Sequence, residues 1–308
     1  MLAAGRAVAQ EAIALREAME VMSIDPKPGC PREADWSAWP GDTDPQAVAR
    51  RNLRGVTYHQ AQLIFANAFD HMTSLGRLLG GDGAMPIYSH SSEARVACEA
   101  AVRFAWLLDP TIASEERIVR GAVGLLVSAD EQLRSLKHIM PTTRVPRAQL
   151  DQMLKYCTGE RSHVEQMIKD AGIDIVPSKN QKTAARLTIN TSAVSVPLRF
   201  DVSENMSALL PDVPSFYSLS SGIVHSYFWM LRDSVAAPPT GPELNLAPDV
   251  MQVGGAALAA ISASALMIGR CAHYYGHDPE PRLRANKDRY ESVDQQMRVL
   301  GVVQRACH

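Results

Sequence analysis

The sequence has little of several features that mark common functional classes. Its 31 lysines and arginines face 33 acidic residues, so the formal net charge is −2. The strong positive excess that many nucleic-acid-binding proteins carry is therefore missing. The five cysteines are scattered, and none has the C-x-x-C spacing of metal or redox sites. This cysteine usage predicts a reducing, cytoplasmic location.

Motifs for nucleotides and metals are missing as well. The chain has no G-x-x-x-x-G-K-[ST] loop, no Rossmann fingerprint and no G-x-S-x-G elbow. His273 and His277 have the i,i+4 spacing that can chelate a metal on a helix, but no third ligand is identifiable. A histidine near a helix C-terminus is also favourable without any metal. The sequence thus predicts no metal and no cofactor.

Long apolar runs are few. Charges at Arg6, Glu11 and Arg16 interrupt the N-terminal segment, which therefore lacks the apolar core of a signal peptide. The longest run without charge, 251–269, approaches the length of a membrane span but consists mainly of Ala, Gly and Ser. These small residues favour a buried helix that packs closely against its neighbours, and no membrane contact is predicted.

Helical patterns with short connections dominate the sequence. Asp44–Pro45 is typical of a helix start, Gly80–Gly81 of a helix end, and Asp201 with Glu204 of a capping box. Residues 173–200 are polar and indicate a loop, with one short extended piece at 193–199. We therefore predict an all-α fold, an antiparallel helical bundle with additional peripheral helices. A helix-and-loop arm (1–45) would precede a single helical-bundle domain (46–308).

Two stretches, 92–109 and 215–234, combine polar and aromatic residues on a helical spacing, and each is predicted to be one helix. On the second, Tyr217, Ser221, His225 and Trp229 share a broad face. The first carries a matching series at steps of four and three, namely Arg95, Glu99, Arg103 and Trp106. We hypothesise that the two helices face each other.

This arrangement would suit acid/base chemistry. A carboxylate beside an imidazole raises the histidine pKa and fixes its tautomer, so His225 would be the acid/base and Glu99 its orienting partner, with Arg95 as the third catalytic group. The side chains predicted to bind substrate are Arg103, Tyr217, Ser221, Trp106 and Trp229. The alternative is a buried polar network that fixes the register of the helices and has no chemistry.

Basic residues on the predicted helix 114–138 fall in two groups, Arg117 with Arg120 and Arg134 with Lys137, separated by an apolar segment. A continuous stripe that follows a phosphate backbone is therefore not predicted. We expect these side chains to lie on solvated faces.

A family resemblance rests on two motifs, Arg95-x3-Glu99-x6-Trp106-Leu-Leu-Asp109-Pro110 and Tyr217-Ser-Leu-Ser220-x4-His225-Ser226. They resemble bacterial helical proteins, many of them actinobacterial, that are related to the HEPN superfamily, over roughly residues 60–235. HEPN ribonucleases carry R-x4-6-H on one helix, usually in a dimer. Of this motif only His225 matches, since serines and a leucine occupy positions 218–220, and Arg95 would have to replace the arginine. The resemblance implies a homodimer.

Three functions remain open from the sequence. The first is a HEPN-like protein that binds or cleaves RNA in a defence, stress or toxin setting. The second is a small-molecule enzyme or ligand-binding protein with His225 and Glu99 as the polar handle of a pocket lined by Tyr217, Trp106, Phe228, Trp229 and Met230. The third is a catalytically inert interaction module.

Overall fold

The structure, a computed structural model, describes residues 2–81, 83, 85–179, 184–231, 234 and 247–306. This part of the chain holds eleven α-helices and one small sheet. The helices are α1 (Leu2–Ile24), α2 (Pro31–Ser37), α3 (Pro45–Gly80), α4 (Ser89–Leu107), α5 (Ser114–Lys137), α6 (Arg147–Asp170), α7 (Val202–Leu209), α8 (Phe216–Val224), α9 (Phe228–Leu231), α10 (Val250–Tyr275) and α11 (Glu280–Ala306). The prediction of an all-α fold built from packed helices is confirmed.

A three-stranded antiparallel sheet lies where the sequence indicated a loop. Its strands β1 (Asp174–Pro177), β2 (Ala184–Ile189) and β3 (Val194–Pro197) follow one another in chain order. The extended piece predicted at 193–199 contains β3, but β1 and β2 were missed. An alternation of apolar and polar residues over only four to six positions is too short to distinguish a strand from a loop. The buried side chains Leu187 and Val196 pair across β2 and β3, and both strands pack against α5.

Backbone contacts group the chain into two compact units. The first unit comprises 1–33, 62–110 and 201–308, and the second comprises 34–61 and 111–200. Helix α3 contributes its N-terminal half to the second unit and its C-terminal half to the first. The division into a helix-and-loop arm, 1–45, and a single helical-bundle domain, 46–308, stays a prediction.

Helix α10 is the central element of the first unit, where it contacts α1, α4, α8 and α11. Asp249 caps its start by accepting a hydrogen bond from the Gln252 N–H at 2.7 Å, and Gly276, with φ +77°, ends it. A Cβ on Gly254 would lie 2.6 Å from Cγ of Met297, so α11 approaches very closely. The predicted buried helix packed through small residues is confirmed.

The same helix is, among the described residues, the one long and apolar enough to span a membrane. Some 67% of its most apolar window is buried inside the protein. The core helix of a folded domain has the same length and composition, so this feature is weak evidence for a membrane span.

Candidate functional site

Helices α4 and α8 contact each other through Arg95 and Tyr217. The Arg95 guanidinium lies 4.7 Å from the centre of the Tyr217 ring, and its Nη2 donates to the Tyr217 hydroxyl at 3.3 Å. Arg95 Nε also donates to Oε1 of Glu99 at 2.8 Å, one helical turn further along α4. The structure therefore brings three of the predicted site residues into one cluster.

His225 lies outside this cluster. Helix α8 ends at Val224, and the His225 N–H closes its last turn by donating to the Ser221 carbonyl at 2.9 Å. Ser226 has φ +56°, which turns the chain out of the helical path. The imidazole is exposed, its ring centre lies 5.9 Å from that of Tyr227, and in the described part of the chain it forms no hydrogen bond with Glu99.

Two expectations are corrected by this geometry. The stretch 215–234 is not one helix, because its path breaks at 225–227 between α8 and α9. The orientation of His225 by Glu99 is also wrong, because the Glu99 carboxylate binds Arg95 and the imidazole faces solvent.

The remaining predicted residues are dispersed. Arg103 is exposed on α4 and Trp106 is half-buried near its end, while Ser221 is half-buried on α8. Trp229 lies on α9 with 49% of its surface exposed. The side chain of Phe228 is outside the described residues.

A cleft in the first unit lies beside Trp229. Its volume is about 430 Å³, and it is lined by helices α8 and α9, the first turns of α10 and one residue of α4. We call it the α8–α10 cleft. Its walls are mainly apolar and consist of Phe216, Leu219, Ile223, Trp229, Met230 and Met251. Of the pocket residues expected from the sequence, the cleft contains Trp229 and Met230.

One corner of the α8–α10 cleft is polar. Gln252 donates from Nε2 to the Met230 carbonyl at 3.5 Å, but its Oε1 is buried and has no partner in the described part of the chain. Ser91, which is 2% exposed, also lines the cleft, and no hydrogen bond to its hydroxyl is present among the described residues. The carboxylate of Asp249 completes this corner.

His90 lies next to this corner in sequence and is fully buried. Its Nδ1 is 3.4 Å from the Pro86 carbonyl oxygen, and its Nε2 has no partner among the described residues. Burial lowers the pKa of His90, against the opposing effects of the Pro86 carbonyl and the Asp249 carboxylate. The imidazole is therefore neutral at pH 7.

Sequence reasoning missed His90, Ser91, Asp249 and Gln252 as site residues. Ser91 lies inside the first turn of α4, which begins at Ser89. The available signal was the Asp-x-x-Gln helix start, which indicates a cap and not a pocket.

The basic residues of α5 belong to the second unit and differ in exposure. Arg134 is solvated as expected, with 64% of its side chain exposed. Arg117 is not, because its side chain is 4% exposed and its Nε lies 2.7 Å from Oδ2 of Asp35. The expectation of a solvated face is therefore wrong for Arg117.

Comparison of the chain with protein-family models, with curated proteins and with solved structures found no match. The class that the fold defines is a mainly α-helical protein with a small sheet, and the arguments about function rest on the clefts and side chains of this chain.

Proposed function

We propose that this protein binds a small, mainly apolar molecule in the α8–α10 cleft. The observation that carries the proposal is the Gln252 Oε1, a buried acceptor at the polar corner of an apolar cleft that has no hydrogen-bond partner among the residues the structure describes. Leaving such a group unpaired costs about 1–3 kcal/mol, which a donor on a ligand offsets. An apolar cavity of this size that contains a few polar groups is typical of small-molecule sites.

The polar corner indicates which end of the ligand lies there. Gln252 Oε1 and the Asp249 carboxylate accept hydrogen bonds, and the Ser91 hydroxyl both donates and accepts. A hydroxyl or N–H group on the ligand would satisfy Gln252, and its apolar body would contact Trp229 and Met251, which are 49% and 54% exposed without it. Covering such exposed apolar surface is favourable.

Gly255 offers a direct test. It lines the cleft, and a Cβ built on it meets nothing within 4 Å. Gly255→Leu therefore fills the cleft without a clash at Cβ. Gly55→Leu is the matched control, because Gly55 is exposed on α3 and its Cβ also meets open space.

The probe is N-phenyl-1-naphthylamine, a neutral apolar molecule with a single N–H. We expect saturable fluorescence enhancement with the wild type and Gly55→Leu, and none with Gly255→Leu. The wild type should bind this probe more tightly than its N-methyl analogue, which has no N–H to donate to Gln252 Oε1. Gln252→Met should remove this preference. Equal binding of the probe by the wild type, Gly55→Leu and Gly255→Leu would show that the α8–α10 cleft is not the binding site.

RNA binding or cleavage with His225 as the acid/base is a second candidate. It is favoured by the exposure of His225 and of Tyr227, a residue that is 54% exposed and whose aromatic ring is suited to stacking on a base. A homodimer that brings two such surfaces together belongs to this proposal. In this case His225→Ala abolishes cleavage of an oligoribonucleotide, whereas Glu99→Gln changes it little because Glu99 pairs with Arg95.

Native mass spectrometry of the protein purified from its own host separates these functions. A discrete small adduct that Gly255→Leu lacks supports ligand binding. Co-purified RNA fragments on a dimer support the second candidate. A clean mass without adduct supports an interaction module and argues against both.

A further inference from the structure

A second cleft of the first unit has a different chemical character. It has a volume of about 480 Å³ and lies among the end of α7, the middle of α10 and the first half of α11. We call it the α7–α11 cleft. Its apolar walls include Leu209, Leu266 and Leu283, and its polar groups include Asp212, Asn286 and Tyr290. It shares no lining residue with the α8–α10 cleft.

The orientation of Asn286 is fixed by a buried carboxylate behind it. Glu11 is fully buried, and its carboxylate is bound by Arg289 and by Asn286 Nδ2, the latter at 2.7 Å. Asn286 Nδ2 also donates to the Ile261 carbonyl oxygen at 3.0 Å. Because both partners are acceptors, the amide nitrogen must face them, and Oδ1 points the other way.

Because the amide nitrogen faces Glu11 and Ile261, the side-chain oxygen of Asn286 is the amide atom left for a ligand in the cleft that this residue lines. The residue is 5% exposed and lines the cleft, yet its Oδ1 accepts no hydrogen bond from the described part of the chain. A nearly buried acceptor of this kind can accept a hydrogen bond from a donor on a ligand. The anionic Glu11 behind it polarises the amide further toward a negative oxygen.

The rim of the α7–α11 cleft is acidic. Asp212 forms no ion pair or hydrogen bond with the described residues, so its carboxylate is available. Burial raises the pKa of Tyr290, the carboxylates of Asp212 and Asp294 raise it further, and the Arg298 guanidinium acts in the opposite direction. The Lys287 ammonium, also on the rim, is 73% exposed and lies 3.8 Å from a Glu291 oxygen.

We propose that the α7–α11 cleft binds an organic cation, an ammonium group on an apolar body, with the ammonium donating to Asn286 Oδ1 and paired with Asp212. An ammonium presents three donors and a positive charge, which matches an amide oxygen and a carboxylate that line the same cleft. A carboxylate ligand would meet two negative oxygens instead. The leucine side chains would cover the apolar body of the cation.

The probes are hexylammonium, hexanol and hexanoate, titrated calorimetrically into the full chain at equal ionic strength. We expect hexylammonium to bind saturably, hexanol more weakly and hexanoate not at all. Ala265→Leu should abolish binding of hexylammonium, because Ala265 lines the cleft and the added carbons fill it.

Charge variants test the recognition of the ammonium. Asp212→Asn should weaken hexylammonium binding about fivefold, the size expected for an ion pair at an exposed carboxylate. Lys287→Ala should strengthen it, since a competing positive charge is removed. Asp294→Asn is the matched control and should leave the affinity within about twofold, because Asp294 pairs with Arg298 and does not line the cleft.

Two results would overturn the proposal. One is equal affinity for hexylammonium and hexanol, which would mean that charge is not recognised. The other is loss of hexylammonium binding in Gly255→Leu with no effect of Asp212→Asn, which would assign the amine to the α8–α10 cleft. If Gly255→Leu still binds hexylammonium, this result supports the α7–α11 cleft as the amine site. It does so whether or not the α8–α10 cleft binds a ligand of its own.

Discussion

Asp35 and Arg117 form the most deeply buried ion pair described in the second unit, with both side chains 4% exposed. Asp35 also accepts a hydrogen bond from the Ser114 hydroxyl at 2.7 Å. Removing one partner of such a pair leaves an uncompensated charge away from water, which is far more costly than the loss of an exposed pair.

We expect Asp35→Asn to lower the free energy of unfolding by about 3 kcal/mol or more, measured by urea denaturation. The control is Glu131→Gln, whose pair with Arg134 is more than half exposed on both sides. This change should cost less than about 0.5 kcal/mol. Equal effects of the two substitutions would show that the Asp35–Arg117 pair is not a special buried contact.

His90 predicts how stability depends on pH. Burial depresses its pKa in the folded state below the ordinary value of 6.5. Below that pH the unfolded chain binds a proton that folded His90 does not, so stability is lost as the pH falls. We expect the wild type to lose more stability between pH 7.5 and pH 5.5 than His90→Gln does, measured by urea denaturation at each pH. Identical pH profiles would contradict a buried neutral imidazole.

At the scale of elements, α3 and α5 approach each other closely within the second unit. A Cβ on Gly121 would lie 1.9 Å from Thr57 Oγ1, which is itself buried and bonded to the Leu53 carbonyl at 2.8 Å. Glycine is needed here for the close approach and not for its backbone freedom.

Gly121→Ala should therefore destabilise the protein by about 1–3 kcal/mol through overpacking. Gly159→Ala is the opposite case, since Gly159 is exposed on α6 and its Cβ meets open space. Alanine there should stabilise by up to about 1 kcal/mol through helix propensity. Urea denaturation of both variants measures the difference in sign, and two stabilising results would disprove the close contact.

At the scale of the whole molecule, burial is concentrated in α10. Fifteen of its residues are buried, whereas α6 buries Leu150, Cys157 and Ile168 over a similar length. The backbone hydrogen bonds of α10 should open only when the chain unfolds, while those of α6 can open locally.

Native-state hydrogen exchange followed by mass spectrometry tests this difference. We expect amides 256–268 of α10 to exchange slowest. The dependence of their exchange rates on urea should be as strong as that of global unfolding. Amides of α6 and of the turn at 225–227 should exchange faster, with little dependence on urea. Faster exchange in α10 than in α6 would contradict the central role of α10.

The sequence by itself determined the helical character of the chain. Caps such as Asp201, whose side chain accepts from the Glu204 N–H at 3.1 Å, are local interactions that short segments specify without help. The small residues of α10 likewise indicated a buried helix before any partner was known. The short strands β1 and β2 escaped detection because their pairing depends on contacts across residues 174–189.

Only the tertiary structure decided where the candidate sites lie. Helical spacing placed His225 beside Glu99, but the helix ends at Val224 and Glu99 binds Arg95 instead. Ser91 and Gln252 meet at the α8–α10 cleft although 161 positions separate them. The side-chain oxygen of Asn286 is left for a ligand in the α7–α11 cleft because Glu11, from the far end of the chain, holds its nitrogen. Contacts between distant segments fix such groups, and a local pattern carries no information about them.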